Sequence, residues 1–343
     1  MIDLIPTEDQ QRIADSVAEF LADKLPVERH RRDHGRGASN DRDAWEALAA
    51  LGVFGVTIPD SHGGIGLTLA EEALVFREFG RHIVSPAALG SVLAARLALE
   101  KGQSRLLAEL LEGRRAAGLA NRVGEGLFHL LDVKDGDLVA AWDDAGVRVY
   151  EASAFRADEA RASLDPGVAL TRARLTGEPV LEARGRTTTP SGPAFPSGPA
   201  LPYVASLLTA AMLVGIAKAA RDAAVQQAQT RMQFNVPIGS FQAIKHKCAD
   251  VALWTEAAWS QTAYAAVAMQ AGLPEADFQA VNAKMIASSA ALRAARENIQ
   301  INGGMGFTAE INAHLFLKRT HVLSQLANSP RELQRKLLDF APA

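Results

Sequence analysis

Two short stretches combine residue types that suit an anionic, phosphate-bearing ligand. The first is Arg231–Met232–Gln233–Phe234, followed by Pro237, Ile238, Phe241 and Gln242. A guanidinium offers several donors in a rigid fork, a geometry that matches a pyrophosphate. Arg231 also stands near the end of a long helical pattern, where a cation suits the helix dipole without any ligand. The second stretch is Gln300–Ile301–Asn302–Gly303–Gly304–Met305–Gly306–Phe307. Its glycines end a helix, as glycine does in any protein, and they equally allow a ligand to approach the backbone closely. Two further groups invite chemistry. Cys248 lies among Lys245, His246 and Lys247, whose charges would lower a thiol pKa, although a small packed helix residue is the simpler reading. Arg29, His30, Arg31, Arg32 and Arg36 form the densest basic cluster, and without interleaved aromatics it reads as a solvated loop.

Composition narrows the setting. The chain has 343 residues, enough for two or three domains. A formal net charge of -3 implies no strong field, so nucleic acid is not an expected partner. One cysteine cannot form an internal disulfide. The amino terminus lacks an apolar h-region, so no signal peptide is expected. The longest apolar run, Tyr203 to Ala217, is shorter than the ~20 residues that span a bilayer. A cytoplasmic enzyme without a membrane span is expected.

Three blocks must position these residues. Residues 1–115 read as helical. Thr7 and Gln10 form a capping box, and Ile13, Val17, Phe20 and Leu21 follow at helical spacing. Asp41 precedes a second helix with Trp45, Leu48 and Leu51 on one face, stopped by Gly52. The loop Pro59 to Gly66 is rich in turn residues, and helices resume at Leu69 and Ala87. Residues 116–195 read as strands, with a hairpin turning at Asp143–Gly146 and an alternating run from Val168 to Leu175. Thr187 to Pro199, with four prolines, reads as a linker. Residues 196–343 read as an Ala-rich helical bundle, with long helices over about 202–231, 240–271 and 275–301. Periodicity thus predicts a mainly α protein with a small central β domain, and stops short of a function.

The motifs themselves resemble those of the acyl-CoA dehydrogenase family. Leu51 to Arg81 (LGVFGVTIPDSHGGIGLTLAEEALVFREFGR) is similar to that family's amino-terminal domain. Arg231 to Gln242 resembles its R-x-x-F-G-x-x-I-x-x-F-Q signature, with Asn235 in place of the glycine. Gln300 to Glu310 resembles Q-x-x-G-G-x-G-[FY]-x-x-E. The resemblance implies an N-terminal α-helical domain, a β domain and a C-terminal four-helix bundle. It implies FAD as cofactor and introduction of an α,β double bond into an acyl-CoA thioester. Arg231, Gln233, Phe234, Gln300, Gly303 and Gly304 are then the residues expected at the adenosine diphosphate end of a flavin, reached across a dimer interface.

The family's base is missing. Laying the terminal R-D-x-x-x-x-x-I-Y-E-G-T-x-x-I-x-R pattern on this chain pairs Arg319 and Arg335 with its arginines and Leu326 and Leu333 with its apolar positions. Asn328 then occupies the glutamate position. The alternative base position, upstream of Val214–Gly215–Ile216–Ala217, is Ala205. Neither side chain can take a proton. The segment that holds the isoalloxazine in the family is replaced by Gly118 to Gly126, while Ser163–Leu164–Asp165 still resembles the end of the β domain. The resemblance is therefore to the shorter, β-type subunit of heteromeric α2β2 enzymes, associated in the family with bulky CoA thioesters such as steroid side chains. It implies a catalytic acyl-CoA dehydrogenase subunit as partner, or a homo-oligomer, and an electron-transferring flavoprotein as acceptor. Two alternatives stay open: a self-sufficient flavoenzyme with a relocated base (Glu310, Glu332 or His321), and a flavin-free scaffold.

Overall fold

The computed structural model describes residues 4–32, 42–184, 200–326 and 328–340. Asp41, Arg36 and the linker Thr187 to Pro199 lie outside the described residues. Among the described residues, six α-helices come first: α1 (Glu8–Lys24), α2 (Arg29–Arg32), α3 (Arg42–Ala49), α4 (Leu69–Arg81), α5 (Ala87–Glu100) and α6 (Ser104–Leu111). Thr7 caps α1 in a full capping box with Gln10, and Thr68 does the same for α4 with Glu71. Each such cap contributes about 1 kcal/mol by satisfying backbone N–H groups that no helical carbonyl can reach. Trp45 and Leu48 are buried, but α3 ends at Ala49, and Leu51 falls in the following turn and is exposed. The basic cluster is not a solvated loop throughout, because Arg29–Arg32 form a helical turn and His30 is buried.

Seven strands follow: β1 (Ala117–Gly124), β2 (Leu127–Leu131), β3 (Leu138–Asp143), β4 (Gly146–Glu151), β5 (Phe155–Arg161), β6 (Leu170–Leu175) and β7 (Leu181–Arg184). They form one sheet in the order β5-β6-β2-β1-β3-β4-β7. The β1–β3 pair is parallel and the others are antiparallel. Alternation separates two faces. Leu119, Leu131, Ala140, Val147 and Val149 join the main core. Phe128, Leu130, Tyr150, Phe155 and Ala173 make a small core of their own, with Phe155 edge-on to both Phe128 and Tyr150.

The remaining helices are α7 (Leu201–Thr230), α8 (Gln242–Gln270), α9 (Ala276–Asn302), α10 (Ala313–Gln325) and α11 (Pro330–Asp339), with a two-stranded hairpin, β8 (Met232–Gln233) and β9 (Val236–Pro237), between α7 and α8. α7 is the central helix, packed on α4, α8, α9 and α10. It is long and apolar enough to cross a membrane, but 83% of its most apolar window is buried inside the protein. It is a core helix. The sequence run alone was too short to span, and the helix turns out longer than the run.

Where the helices, sheet and bundle meet, Arg319 of α10 is fully buried. It ion-pairs with Asp165, between β5 and β6, and donates to the carbonyls of Ile83 at 2.8 Å and Val84 at 2.6 Å, between α4 and α5. His30 and His82 sit beside this junction. Burial and the guanidinium of Arg29, joined by Arg319 at His30 and Arg81 at His82, push the two imidazoles down to about 2 and about 4 from 6.5. Below 6.5 the unfolded chain takes protons that the folded chain refuses, so stability falls as pH drops through that range and continues falling toward the folded values. The thermal midpoint should therefore be clearly lower at pH 5 than at pH 7, and the difference should shrink in His30→Leu. An equal midpoint at the two pH values would refute this.

Candidate functional site

The residues expected at a cofactor come together at one end of the bundle. Arg231 is the C-cap of α7, its backbone already extended at φ -73 and ψ 120, with its N–H still donating to Gln227. The chain then turns through the β8–β9 hairpin, in which Met232 pairs with Pro237 and Gln233 with Val236. The two turn residues, Phe234 and Asn235, both have positive φ, 52 and 65. Asparagine tolerates that conformation because its short polar side chain can bond locally, which explains how Asn235 stands where the family has glycine. Phe234 has no such excuse. It is 87% exposed, rests edge-on to Phe241 at 6.2 Å, and holds a conformation unfavourable for an aromatic residue. Backbone strain of this kind clusters at active sites, ligand clamps and switch regions.

α9 ends at Asn302, and Gly303 leaves it at φ 62 and ψ -138, a region open essentially to glycine alone. A Cβ added at Gly303 or Gly304 would meet nothing within 4 Å, so the space above both is open. Ala224 and Ala228 of α7, Ile301 of α9, and Ile238, Ile244 and Cys248 pack into one small cluster. That cluster brings the ends of α7 and α9 side by side, and with them Arg231, Gln233, Phe234, Gln300, Gly303 and Gly304, all exposed. Cys248 is held at the base of this cluster, and burial and Glu297 raise its pKa. The flanking cations therefore do not activate it, and it is a packing residue.

The chemistry of this end fits the diphosphate of a dinucleotide. It offers one guanidinium, side-chain amides and bare glycine backbone. Its shape is an open surface, however, and a dinucleotide needs walls on both sides to bury most of its area.

A second location is the cleft beside the family's base position. It is about 680 Å³ and lies between β1 (Asn121, Arg122), the end of β3 (Trp142) with the β3–β4 turn (Asp144, Ala145), and the α10–α11 junction (Gln325, Asn328, Glu332). An adjoining cleft of about 290 Å³ shares Asn121 and Gln325 with it and adds His129, His321 and an apolar floor. Asn328 borders the first cleft in a strained conformation, φ 131. Its carbonyl accepts from the ammonium of Lys284 at 3.0 Å, and Leu326 O accepts from the same group. Lys284 is fully buried on α9, and desolvation together with Lys336 lowers it to about 7. Ala205 lines neither cleft. It is buried on α7, where its carbonyl accepts from Thr209 at 2.7 Å.

Of the two other candidate carboxylates, one is engaged in a helix cap and one lies away from the clefts. Glu332 accepts from Ser329 N at 2.6 Å and Ser329 Oγ at 2.7 Å as the cap of α11, which holds it below the ordinary carboxylate range. Glu310 is exposed beyond the end of α9 and borders neither cleft. His321 does line the inner cleft. Lys284 and Trp142 escaped sequence reading. Lys284 had one signal, a lysine in the otherwise apolar stripe Ala276, Ala280, Ala283, Ala287 and Ala291. Trp142 had none, because a strand tryptophan is ordinarily core.

The order of elements, a helical layer, a seven-stranded sheet and a long-helix bundle, is that of the acyl-CoA dehydrogenase fold, a fold of flavin-dependent acyl-CoA oxidising enzymes. The chain belongs to the acyl-CoA dehydrogenase family. Residues 7–114 match the model of the acyl-CoA dehydrogenase N-terminal domain and residues 204–338 that of the C-terminal domain. Acyl-CoA dehydrogenase IpdE2 of Mycobacterium tuberculosis is 32% identical over 337 residues, 97% of this chain and 98% of that one. Among solved structures, the ChsE4–ChsE5 complex from Mycobacterium tuberculosis superposes with a TM-score of 0.81 at 22% identity over 100% of each chain. Butyryl-CoA dehydrogenase from Megasphaera elsdenii does so with a TM-score of 0.76 at 21% identity over 98% and 99%. FAD is the cofactor of this family.

Proposed function

We propose that this chain is the complementing subunit of a heteromeric acyl-CoA dehydrogenase. It finishes the FAD site of a catalytic partner and carries no base of its own. The observation that carries the reading is the asymmetry of the two locations. The exposed end keeps every expected cofactor residue, and Arg231 has no ion-pair partner among the described residues. At the cleft, Asn328 and Ala205 stand at the base positions and Glu332 is committed to a helix cap. The likeness to the ChsE4–ChsE5 complex supports the partner, and the likeness to the Tcur3481–Tcur3483 steroid ACAD supports a bulky, steroid-derived acyl-CoA as substrate.

When bound, the flavin supplies the acceptor for the hydride that leaves the β carbon. In this reading Arg231 and the side chains of Gln233 and Gln300 bind the diphosphate end, and the glycine backbone at Gly303 and Gly304 lets it approach. Phe234 inserts into the partner and excludes water there. The partner's carboxylate removes the α proton. An electron-transferring flavoprotein takes the electrons onward, in the cytoplasm.

The visible spectrum of the purified chain tests this. A flavin band should appear only on co-expression with a full-length acyl-CoA dehydrogenase, at one flavin per pair of chains. In that complex Arg231→Ala should weaken flavin retention at least about tenfold, the loss of a charge-assisted hydrogen bond. Folding stability should stay within about 0.5 kcal/mol, since the side chain is exposed. A full flavin complement in the chain alone would overturn the reading in favour of a self-sufficient enzyme.

A further inference from the structure

The first half of α8 is left uncovered by its own chain. From Leu201 to Ala217 every residue of α7 except Tyr203 is buried, but from Gln242 to Ala257 of α8 only Val251 and Thr255 are. Ala249, Leu253 and Ala257 are exposed at every fourth position, so they form one outward apolar stripe. Leu253 is 67% exposed, and Trp254 beside it 39%. Helix α9 runs alongside in the opposite direction, since Lys247 pairs with Glu297 at 2.6 Å and the Arg293 guanidinium lies 4.8 Å from the centre of the Trp254 ring. The exposed face therefore continues from the bundle end, with Phe234 and Phe241, down the outside of both helices.

The same face carries cations without partners. Lys245, Arg293 and Arg296 are exposed, and among the described residues none of them has a carboxylate partner. The neighbouring acids are mostly spent, Glu297 on Lys247 and Glu256 on Arg221 at 2.7 Å. Glu310 lies round the bundle end beside α2, where Arg31 donates to its carbonyl. Among the described residues of this stretch that leaves Asp250 as the unpaired carboxylate. The face is thus basic in a chain whose formal net charge is -3. That sign decides the occupant. A two-fold contact between copies of this chain would set the patch against itself, cation against cation. A different chain with an acidic surface meets no such penalty, and Trp and Arg are the residue types that anchor interfaces. Two helices about 10 Å apart, exposed over about 20 Å, present roughly 400 Å². That is about half of what one side of a stable interface buries. The bundle end supplies further area in direct continuation, so one partner covering both is large enough to hold.

We propose that the outward face of α8 and α9 is the assembly interface for the catalytic subunit, which meets it with an acidic surface. Leu253 and Trp254 are its apolar centre, and Lys245, Arg293 and Arg296 its charged surround. The inference rests on the complementing-subunit reading for the identity of the partner. It goes further in separating two tasks along one surface: Arg231 and the glycine turn bind the flavin, and Trp254 with its arginines holds the chain that shares it.

Sedimentation of the full chain mixed with its full-length acyl-CoA dehydrogenase subunit tests this. The dissociation constant should rise at least about tenfold between about 0.05 and about 0.5 M NaCl, because exposed charges are screened. Trp254→Ala should weaken assembly at least about thirtyfold, as a central aromatic anchor does. Arg293→Glu combined with Arg296→Glu should weaken it at least about a hundredfold, with unchanged far-ultraviolet dichroism. Arg105→Glu, an equal change of charge at an exposed position of α6, should have no effect. Complex that still forms at high protein concentration should carry its full flavin, unlike that of Arg231→Ala. If the parent complex holds flavin and the Trp254 and arginine variants assemble as the parent does, the interface is refuted and the complementing reading stands. If the chain alone self-associates and Trp254→Ala abolishes it, the occupant is a second copy and the proposal fails. If no flavin-bearing complex forms, or the chain alone carries flavin, the complementing reading fails, and this interface with it.

Discussion

Replacing Arg319 by methionine should lower the unfolding free energy by about 3–5 kcal/mol, the cost of leaving a buried partner charge without compensation. Asp165 would keep its charge with no guanidinium to face. The carbonyls of Ile83 and Val84 would lose their donor at the same time. Ile83 makes this worse, because it is a β-branched residue held at φ 44 and the arginine is part of what holds it there. Chemical denaturation should show the loss as a lower midpoint at unchanged slope. Arg319→Lys should recover little, since a single ammonium cannot reach three acceptors in a planar fork. Adding Asp165→Asn to Arg319→Met should recover part of the loss, because the uncompensated charge is gone. A loss below about 1 kcal/mol in Arg319→Met would show that the junction is not what joins the three layers.

Gly215→Val should cost at least about 3 kcal/mol, at the upper end for overpacking, because the obstacle is backbone. A Cβ at Gly215 would sit 1.9 Å from the carbonyl oxygen of Arg77, and one at Gly80 would sit 1.9 Å from that of Met212. The two glycines face each other's helix where α4 crosses α7, so neither helix can yield by a rotamer change. Forcing them apart would also disturb the stacking of Arg77 over Trp259 at 4.6 Å and the ion pair of Arg81 with Asp222 at 3.5 Å. Gly215→Ala should show a smaller loss in the same direction. A valine variant as stable as the parent would mean that the helices are not in backbone contact at this point.

These two predictions also mark where sequence reasoning stops. The long helices, the hairpin at Asp143–Gly146 and the cap at Thr7 were legible from local sequence, because each depends on residues within a few positions of one another. The sequence also led to the proposed cofactor and base positions, since a motif is a matter of order along the chain. Asn328 and Ala205 needed no structure to be recognised as unable to act as bases. That Arg319 is a three-way tie became visible in the folded chain alone, because its partners lie more than 150 positions away. The folded chain also showed that Gly215 serves a helix crossing, that Glu332 is spent on a cap, and that burial raises the Cys248 pKa against its local charges. Burial, crossing distance and desolvation are sums over neighbours brought from every part of the chain. No window of sequence contains them, and they decide which of the chain's polar groups remain free to bind anything.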